Sequence, residues 1–240
     1  MLKYLIGILA FFIIISILPT YRYFLKQYKI SSWLKALNLK QHSAEFDKIF
    51  STVDGFRISK RERQENDAFE YTYGEIDFLS FIALISLTHP NANTRFYDLG
   101  CGIGKAVISC ALVYDMQLYC GIELFNGLYI AAVKQQEHLL RLPEYQTNAK
   151  KVLFICDDFL NVNIEDANLI FINSTAFVGN TWQLLNEKID RTVKFATIIT
   201  VSKKLSTRMF KVKLKTQINM SWGVATVFIH EYVDENISVS

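Results

Sequence analysis

Short apolar runs alternate with longer amphipathic segments through the middle of this chain. Strands are predicted near residues 95–98, 118–123, 151–156, 168–173 and 195–201, and helices near 76–87, 104–115, 126–141 and 180–190. Strands separated by helix-length segments are typical of a parallel sheet with helices on both faces. Two β-rich runs, Lys211–Ile218 and Val224–Tyr232, flank residues 219–223 and predict a terminal antiparallel hairpin. The pattern therefore predicts a doubly wound, seven-stranded α/β sheet.

The front of the chain has a different pattern, because residues 4–21 carry no charge and are mostly apolar. As a helix they would span roughly 27 Å at about 1.5 Å per residue, slightly less than a hydrocarbon core of about 30 Å. Five basic residues follow before the first acid, Glu45, which places the C-terminal side in the cytoplasm. We expect a single-pass anchor over residues 1–22. A cleaved signal peptide is the alternative, although ISILPTYR offers no small-x-small cleavage site.

Residues 23–67 are expected to form juxtamembrane and linker helices and a loop, with the main domain at 68–240. Trp33, Leu34 and Leu37 share a helical face in a basic context, which suits either an interfacial membrane helix or an ordinary packed amphipathic helix. Residues 42–72 are polar and rich in charge. Such a composition indicates a solvated loop or a lid.

Composition limits the function classes. A chain of 240 residues with 51% apolar content can form one sizeable domain and a short appendage. The net charge of +3 is too small to indicate a nucleic-acid partner, and none is expected. The four cysteines form no C-x-x-C pair, so we expect reduced thiols and no metal site. Hydrolase motifs such as G-x-S-x-G and H-E-x-x-H are absent from the sequence.

The segment Phe96–Cys110, FYDLGCGIGKAVISC, holds the strongest chemical motif. Its Asp98 is followed by three alternate glycines, Gly100, Gly102 and Gly104. Positions without side chains let the backbone pass close to a ligand at a helix N-terminus. A dinucleotide fingerprint would need its third glycine where Lys105 stands. The D-x-G-x-G-x-G spacing is instead typical of S-adenosylmethionine (SAM) methyltransferases, whose acid lies near the positively charged methionine end.

Acids after the next two strands fit the same cofactor. Glu123 ends the second strand, 19 residues after Gly104, where a carboxylate can accept hydrogen bonds from a ribose diol. The alternative is a strand-end acid that caps the helix near Asn126. After the third strand, Asp158 can accept from an adenine amino group while Phe159 stacks on the ring; Asp157 is the alternative acid.

The fourth strand ends in LIFINSTAF, which places Asn173 at the same edge of the sheet. An asparagine carbonyl can accept from an amine and aim its lone pair at the methyl group, while nearby aromatic faces favour the cationic sulfonium. Alignment supplies much of the rate of an in-line displacement. The pattern therefore favours transfer to an amine such as lysine. The alternative for Asn173 is a strand-end turn residue.

Several short motifs occur in one order: YTYGE at Tyr71–Glu75, then DLGCGIG, GIE, DDFL, NSTAF and MSW. Together they resemble the disruptor-of-telomeric-silencing family of histone lysine methyltransferases, over roughly residues 68–232. The resemblance implies a Rossmann-like methyltransferase fold and SAM as cofactor. It implies cofactor contacts at Glu75, Gly100, Glu123, Asp158 and Phe159, and a lysine channel at Asn173 and Phe177. Tyr73 is the third residue expected to be catalytic.

The sequence departs from that family in three places. Ser174 stands where the family has a second asparagine, the aromatic residue of the last strand falls at Val227 or Phe228, and the basic nucleosome-binding extension is missing. The leading hypothesis is a membrane-anchored, SAM-dependent protein-lysine methyltransferase, with membrane proteins as candidate substrates. The alternatives are methylation of a small or lipid-soluble acceptor such as a quinone or phenol, and a non-catalytic SAM-binding scaffold.

Overall fold

The computed structural model describes residues 20–63 and 72–233. It divides into two compact units, one ending at His42 and one starting at Ser43. In the first unit residues 20–36 are helical (α1), with Trp33 and Leu34 half-buried and Leu37 in the following turn. The segment predicted as an anchor, residues 1–22, lies almost entirely outside the described residues. Within the described ranges, no helix combines the length and the apolar character needed to cross a bilayer.

Helices and strands alternate through the rest of the chain. The further helices are α2 (Leu39–Phe50), α3 (Gly55–Glu62), α4 (Phe78–Ser86), α5 (Lys105–Val113), α6 (Asn126–Leu140), α7 (Gln146–Ala149) and α8 (Gly179–Thr192). The strands are β1 (Arg95–Leu99), β2 (Leu118–Glu123), β3 (Val152–Cys156), β4 (Leu169–Ile172), β5 (Thr197–Val201), β6 (Phe210–Met220) and β7 (Gly223–Tyr232). The strands and helices predicted from the apolar pattern are present, with ends that differ by up to two residues.

The seven strands form one mixed sheet in the order β3-β2-β1-β4-β5-β7-β6. Strands β1 to β5 are parallel, and β7 runs antiparallel between β5 and β6. The chain order reverses between β1 and β4, which lie side by side. In open α/β sheets such a switch point opens a crevice at the carboxyl ends of the strands. The expected seven-stranded sheet with a C-terminal hairpin is confirmed.

The parallel strands are mostly apolar because helices cover both of their faces. On one face, Tyr97 and Leu99 of β1 belong to a core that includes Leu185 and Ile189 of α8. On the other face, the Phe81 ring of α4 meets the rings of Phe96 and Phe171, with ring centroids 6.4 Å and 5.1 Å apart. This packing fixes the strand ends that carry the candidate site.

The charged stretch 42–72 is largely helical where the structure describes it, which corrects the expectation of a solvated loop. Asp54 starts α3, since its carboxylate accepts from the backbone N–H of Arg57 at 2.9 Å. Asp77 starts α4 in the same way through Ser80. A side-chain oxygen at this position satisfies an N–H that the first helical turn leaves without a partner. The predicted helix 76–87 therefore begins two residues later than the apolar pattern suggested.

Candidate active site

A cleft opens at the carboxyl ends of β1, β2 and β4. Its empty space is about 1140 Å³, including space open to solvent. Every residue predicted for the site except Gly104 lines this cleft: Tyr73, Glu75, Asp98, Gly100, Gly102, Glu123, Asp158, Phe159, Asn173 and Phe177. The folded chain thus brings together side chains from segments about a hundred residues apart.

The glycine loop is shaped by backbone conformation as well as by space. Gly100, Gly102 and Gly104 all have positive φ angles, 85°, 57° and 82°. A Cβ atom at Gly102 would lie 2.6 Å from the Tyr73 ring, so any larger residue there would displace this cleft side chain. Gly104 faces away from the cleft, and a Cβ there would lie 2.6 Å from the Phe154 ring. Its role is therefore close packing of α5 on the sheet.

Two carboxylates lie buried at the bottom of the cleft. Asp98 is 3% exposed and Glu123 is 6% exposed. Burial, and then the nearby charge of Glu123, hold the pKa of Asp98 well above its usual range. Burial also raises the pKa of Glu123, although its oxygens accept from the N–H groups of Gly102 at 2.8 Å and Phe125 at 2.9 Å, which oppose the rise. A bound cation would relieve this repulsion.

Glu75 connects three parts of the site. One of its oxygens accepts from the Tyr73 hydroxyl at 2.9 Å, and the other accepts from Lys105 Nζ at 2.6 Å. Burial, followed by the charge of Glu75, raises the pKa of Tyr73, so this phenol stays protonated. The segment is anchored on the hairpin, because Ser221 N–H donates to the Glu75 carbonyl and Ile76 pairs with Met220.

Lys105 is a cleft residue that the sequence prediction missed. It is the first residue of α5, pairs with Glu75, and lies 5.8 Å and 5.5 Å from the ring centroids of Phe46 and Phe50. A cation at a helix N-terminus opposes the helix dipole. That unfavourable placement directly after a glycine loop was the available signal for a role in the site.

The loop after β3 forms one wall of the cleft. Asp158 accepts from the backbone N–H of Leu160 at 2.8 Å, and the Phe159 ring lies 5.1 Å from that of Phe177. The loop is held from below by Lys188 of α8, whose Nζ donates to the Leu160 carbonyl at 2.9 Å. Burial lowers the pKa of Lys188, and the nearby Asp158 opposes the shift.

The end of β4 separates a cleft residue from a structural one. Asn173 lines the cleft and its Oδ1 accepts from the Thr175 hydroxyl at 3.1 Å. Ser174, which replaces the second asparagine of the motif, is fully buried and donates to the Val201 carbonyl at 2.6 Å. Val227 and Phe228 do not line the cleft. The replacement of the second asparagine by Ser174 therefore affects a side chain that joins the end of β4 to β5.

A family model described as "Histone methylation protein DOT1" matches residues 59–240. The chain belongs to the DOT1 family. Its match begins within α3 and covers the glycine loop, both buried acids and the end of β4. The predicted resemblance is confirmed, and with it the expected class, SAM-dependent methyltransferases, and the expected cofactor, SAM.

Among the curated relatives of this DOT1-family chain is the "Histone-lysine N-methyltransferase, H3 lysine-79 specific" of Caenorhabditis elegans, 28% identical over 60% of this chain and 16% of that protein. The enzyme of the same name from Gibberella zeae is 26% identical over 60% of this chain and 31% of its own length. The chain thus spans less than a third of each of these two relatives. A carboxy-S-adenosyl-L-methionine synthase from Psychromonas ingrahamii is 30% identical over 35% of this chain and 32% of that enzyme.

Solved structures share the fold. An RNA methyltransferase from Salinibacter ruber in complex with S-adenosyl-L-homocysteine gives a TM-score of 0.51 at 16% identity, covering 67% of this chain and 94% of that one. YjhP from E. coli also gives 0.51, at 11% identity, covering 74% of this chain and all of that one. At such identities the likeness shows the fold alone, a class I methyltransferase sheet.

These findings correct the expected localisation. A single-pass membrane protein with a cytoplasmic catalytic domain was predicted, with the membrane as a partner. The described residues hold no helix able to cross a bilayer, and the DOT1-family relatives are named as histone lysine methyltransferases. The predicted membrane localisation is therefore wrong. It came from reading the apolar residues 4–21 by length and charge alone.

The cleft of this DOT1-family chain fits SAM. The Gly102 position leaves no room for a side chain beside Tyr73, so only backbone atoms of this residue face the cleft there. The crowded carboxylates of Asp98 and Glu123 attract a cation, and SAM carries positive charge on its sulfonium and its amine. Lys105 supplies a positive charge suited to a carboxylate at the Glu75 end of the cleft.

Proposed function

We propose that this chain transfers a methyl group from SAM to the amine of a protein lysine. The observation that carries the proposal is that Asn173 lines the same cleft as the buried Asp98–Glu123 pair. The carboxylates of Asp98 and Glu123 suit a cationic cofactor, and the Asn173 side chain suits a neutral amine. When bound, SAM supplies a methyl group on a positively charged sulfur.

The residues at the cofactor end are proposed to act by binding. Asp98 and Glu123 would hold the amine and ribose, with Gly100 and Gly102 lining the backbone side. Glu75, oriented by Tyr73 and Lys105, would fix the methionine end. Asp158 would accept from the adenine amine while Phe159 stacks on the ring. Charge pairing of this kind is strongest where the groups are buried.

Asn173, Phe177 and Tyr73 are the proposed catalytic residues. The Asn173 Oδ1 atom would accept from the lysine amine and direct its lone pair. The Phe177 and Phe159 rings, 5.1 Å apart, make an apolar passage in which an ammonium group loses its proton more readily. The Tyr73 hydroxyl stays protonated and fixes the Glu75 carboxylate. Positioning accounts for most of the rate of an in-line displacement.

Histones are the acceptor we would test first, because both DOT1-family relatives described above are named for a histone H3 lysine. The purified chain would receive SAM labelled in its methyl group, with nucleosomes, free histone H3 or a cell extract as acceptor. The expected result is label in a protein band that mass spectrometry assigns to lysine. Label only in small molecules, or none, would contradict the proposal.

Asn173→Ala is expected to lower protein labelling at least 100-fold, because a positioned acceptor contributes about 10²-fold or more to proton-coupled steps. The affinity of the Asn173→Ala variant for S-adenosylhomocysteine, measured by calorimetry, should change less than threefold. Asn180→Ala, at an exposed position outside the cleft, is the matched control and should label as the wild type does. Unchanged labelling by Asn173→Ala would rule out its catalytic role.

A further inference from the structure

Helix α3 forms a wall of the cleft. At its start, a Cβ atom on Gly55 would lie 2.4 Å from the Tyr73 hydroxyl and 2.7 Å from a Glu75 oxygen. At its end, Glu62 accepts from the backbone N–H of Gly127 at 2.9 Å, in the first turn of α6. Positions 55, 59 and 62 follow helical spacing and share one face. That face is turned towards the site.

Ser59 is the middle residue of this face. It is 1% exposed and lines the cleft, and its Oγ has no hydrogen-bond partner within the described residues. Other buried serines have one: Ser109 Oγ donates to the Lys105 carbonyl at 2.7 Å, and Ser174 to Val201. A buried hydroxyl without a partner costs free energy, and such groups are rare in folded proteins. The position of Ser59 in the cleft gives a physical reason for this hydroxyl, because a bound ligand would supply the missing hydrogen bond.

The position of Ser59 indicates which part of a ligand it would meet. Gly55, one turn before it, packs on Tyr73 and Glu75, the end of the cleft assigned to methionine. Glu62, three residues after it, holds α6 just beyond the Glu123–Phe125 turn. Ser59 therefore faces the middle of the cleft. The sugar of the cofactor belongs there, and its hydroxyls are both donors and acceptors.

We propose that Ser59 is a further cofactor-binding residue, whose hydroxyl forms a hydrogen bond with the ribose of SAM from α3. The inference rests on the proposed function, since it requires that the cleft hold this cofactor. It assigns a binding role to the charged region ahead of the glycine loop, from which no site residue was predicted.

The test uses the purified full chain, with S-adenosylhomocysteine as the ligand in calorimetry. Ser59→Ala should bind it about three- to tenfold more weakly, the range for loss of one neutral hydrogen bond. Lys60→Ala, an exposed neighbour on the same helix, is the matched control and should bind as the wild type does. Both variants place alanine in α3, so helix propensity changes in both.

A second measurement separates binding from structure. Without ligand, Ser59→Ala should melt at the same Tm as the wild type or higher, because it removes a buried hydroxyl that has no partner. With saturating ligand, the wild type should gain more in Tm than the variant. A hydroxyl that only supports the fold would lower the ligand-free Tm when removed.

The outcomes are distinguishable. If the wild type binds S-adenosylhomocysteine and Ser59→Ala binds it equally well, the Ser59 inference is overturned and the proposed function stands. A lowered ligand-free Tm in Ser59→Ala also overturns it. If the wild type itself shows no binding, the proposed function fails as well. Weaker binding with an unchanged or raised Tm supports the role assigned to Ser59.

Discussion

Two regions of this molecule treat buried polar groups in opposite ways. Beside the hairpin, His230 is fully buried, yet its Nε2 accepts from Leu205 N–H at 3.2 Å and its Nδ1–H donates to the Ile198 carbonyl at 3.1 Å. In the cleft, Asp98 is buried next to another acid, Glu123, and Ser59 Oγ has no partner among the described residues.

The difference separates polar groups that support the fold from groups that we propose bind a ligand. A buried polar group whose partners lie within the chain specifies the packing around it. A group that lacks them weakens the ligand-free protein and becomes favourable only when something binds. Mutations in the first region should therefore lower stability and leave affinity unchanged, whereas mutations in the cleft should lower affinity without lowering the stability of the ligand-free protein.

The largest effect is expected at His230. His230→Ala removes the side-chain partners of the Leu205 N–H and the Ile198 carbonyl and creates a cavity. The free energy of unfolding should fall by about 2–5 kcal/mol. Affinity for S-adenosylhomocysteine, measured by calorimetry at a temperature where the variant is folded, should stay within twofold.

The matched control for this variant is His138→Ala, at an exposed position of α6, which should change stability by less than about 0.5 kcal/mol. Urea unfolding measures both. A fall in the free energy of unfolding of less than about 1 kcal/mol for His230→Ala would show that the hairpin region does not depend on this buried network. His230 would then not serve as an example of a polar group that supports the fold.

Asp98→Asn should instead raise the stability of the ligand-free protein and lower its affinity for the cofactor. It keeps the shape of the side chain but removes one of the two crowded negative charges, so the ligand-free protein should become more stable. Affinity for SAM should fall about 10- to 100-fold, the range for a hydrogen bond to a charged group. Calorimetry and thermal melting measure the two effects.

Asp47→Asn, on the exposed side of α2, is the control for Asp98→Asn and should change neither quantity. If Asp98→Asn destabilises the ligand-free protein, the carboxylate supports the fold rather than the ligand. Asp98 would then belong with His230 among the groups that support the fold, and the two regions would no longer differ in this respect.

The smallest effect is a difference in pH dependence. Burial lowers the pKa of His230, so its contribution to stability is present above the unfolded value near 6.5 and is lost as pH falls below it. Burial raises the pKa of Asp98, so its carboxyl stabilises the ligand-free protein below about pH 3.9 and loses that contribution as pH rises.

Urea unfolding between pH 4.5 and 8 would measure both slopes, each at most about 1.4 kcal/mol per pH unit per proton. The stability gap between wild type and His230→Ala should narrow at low pH. The advantage of Asp98→Asn over wild type should grow at high pH. Parallel curves for all three proteins would contradict the assignment of either group.

Local sequence carried most of the fold and the centre of the cleft. Apolar runs separated by helix-length segments led to the seven-stranded sheet, because parallel strands buried on both faces must be apolar throughout. Asp98, Glu123 and Asn173 could be placed at one edge because each lies at the carboxyl end of a strand or directly after it. The same rule fails for Gly104, which follows β1 but packs on Phe154.

Tertiary structure decided which other residues reach that edge. Ser59 lies on a helix whose sequence pattern carries no signal for the cleft, and Lys105 was missed although its place at a helix N-terminus was such a signal. The packing of α3 and the Glu75–Lys105 pair bring these two side chains to the cleft. The sequence by itself determined the order of strands and helices and the position of the glycine loop, because apolar periodicity and backbone geometry are local properties. Long-range packing determined which polar side chains share the cleft, because charge and hydrogen bonding act between groups far apart in sequence.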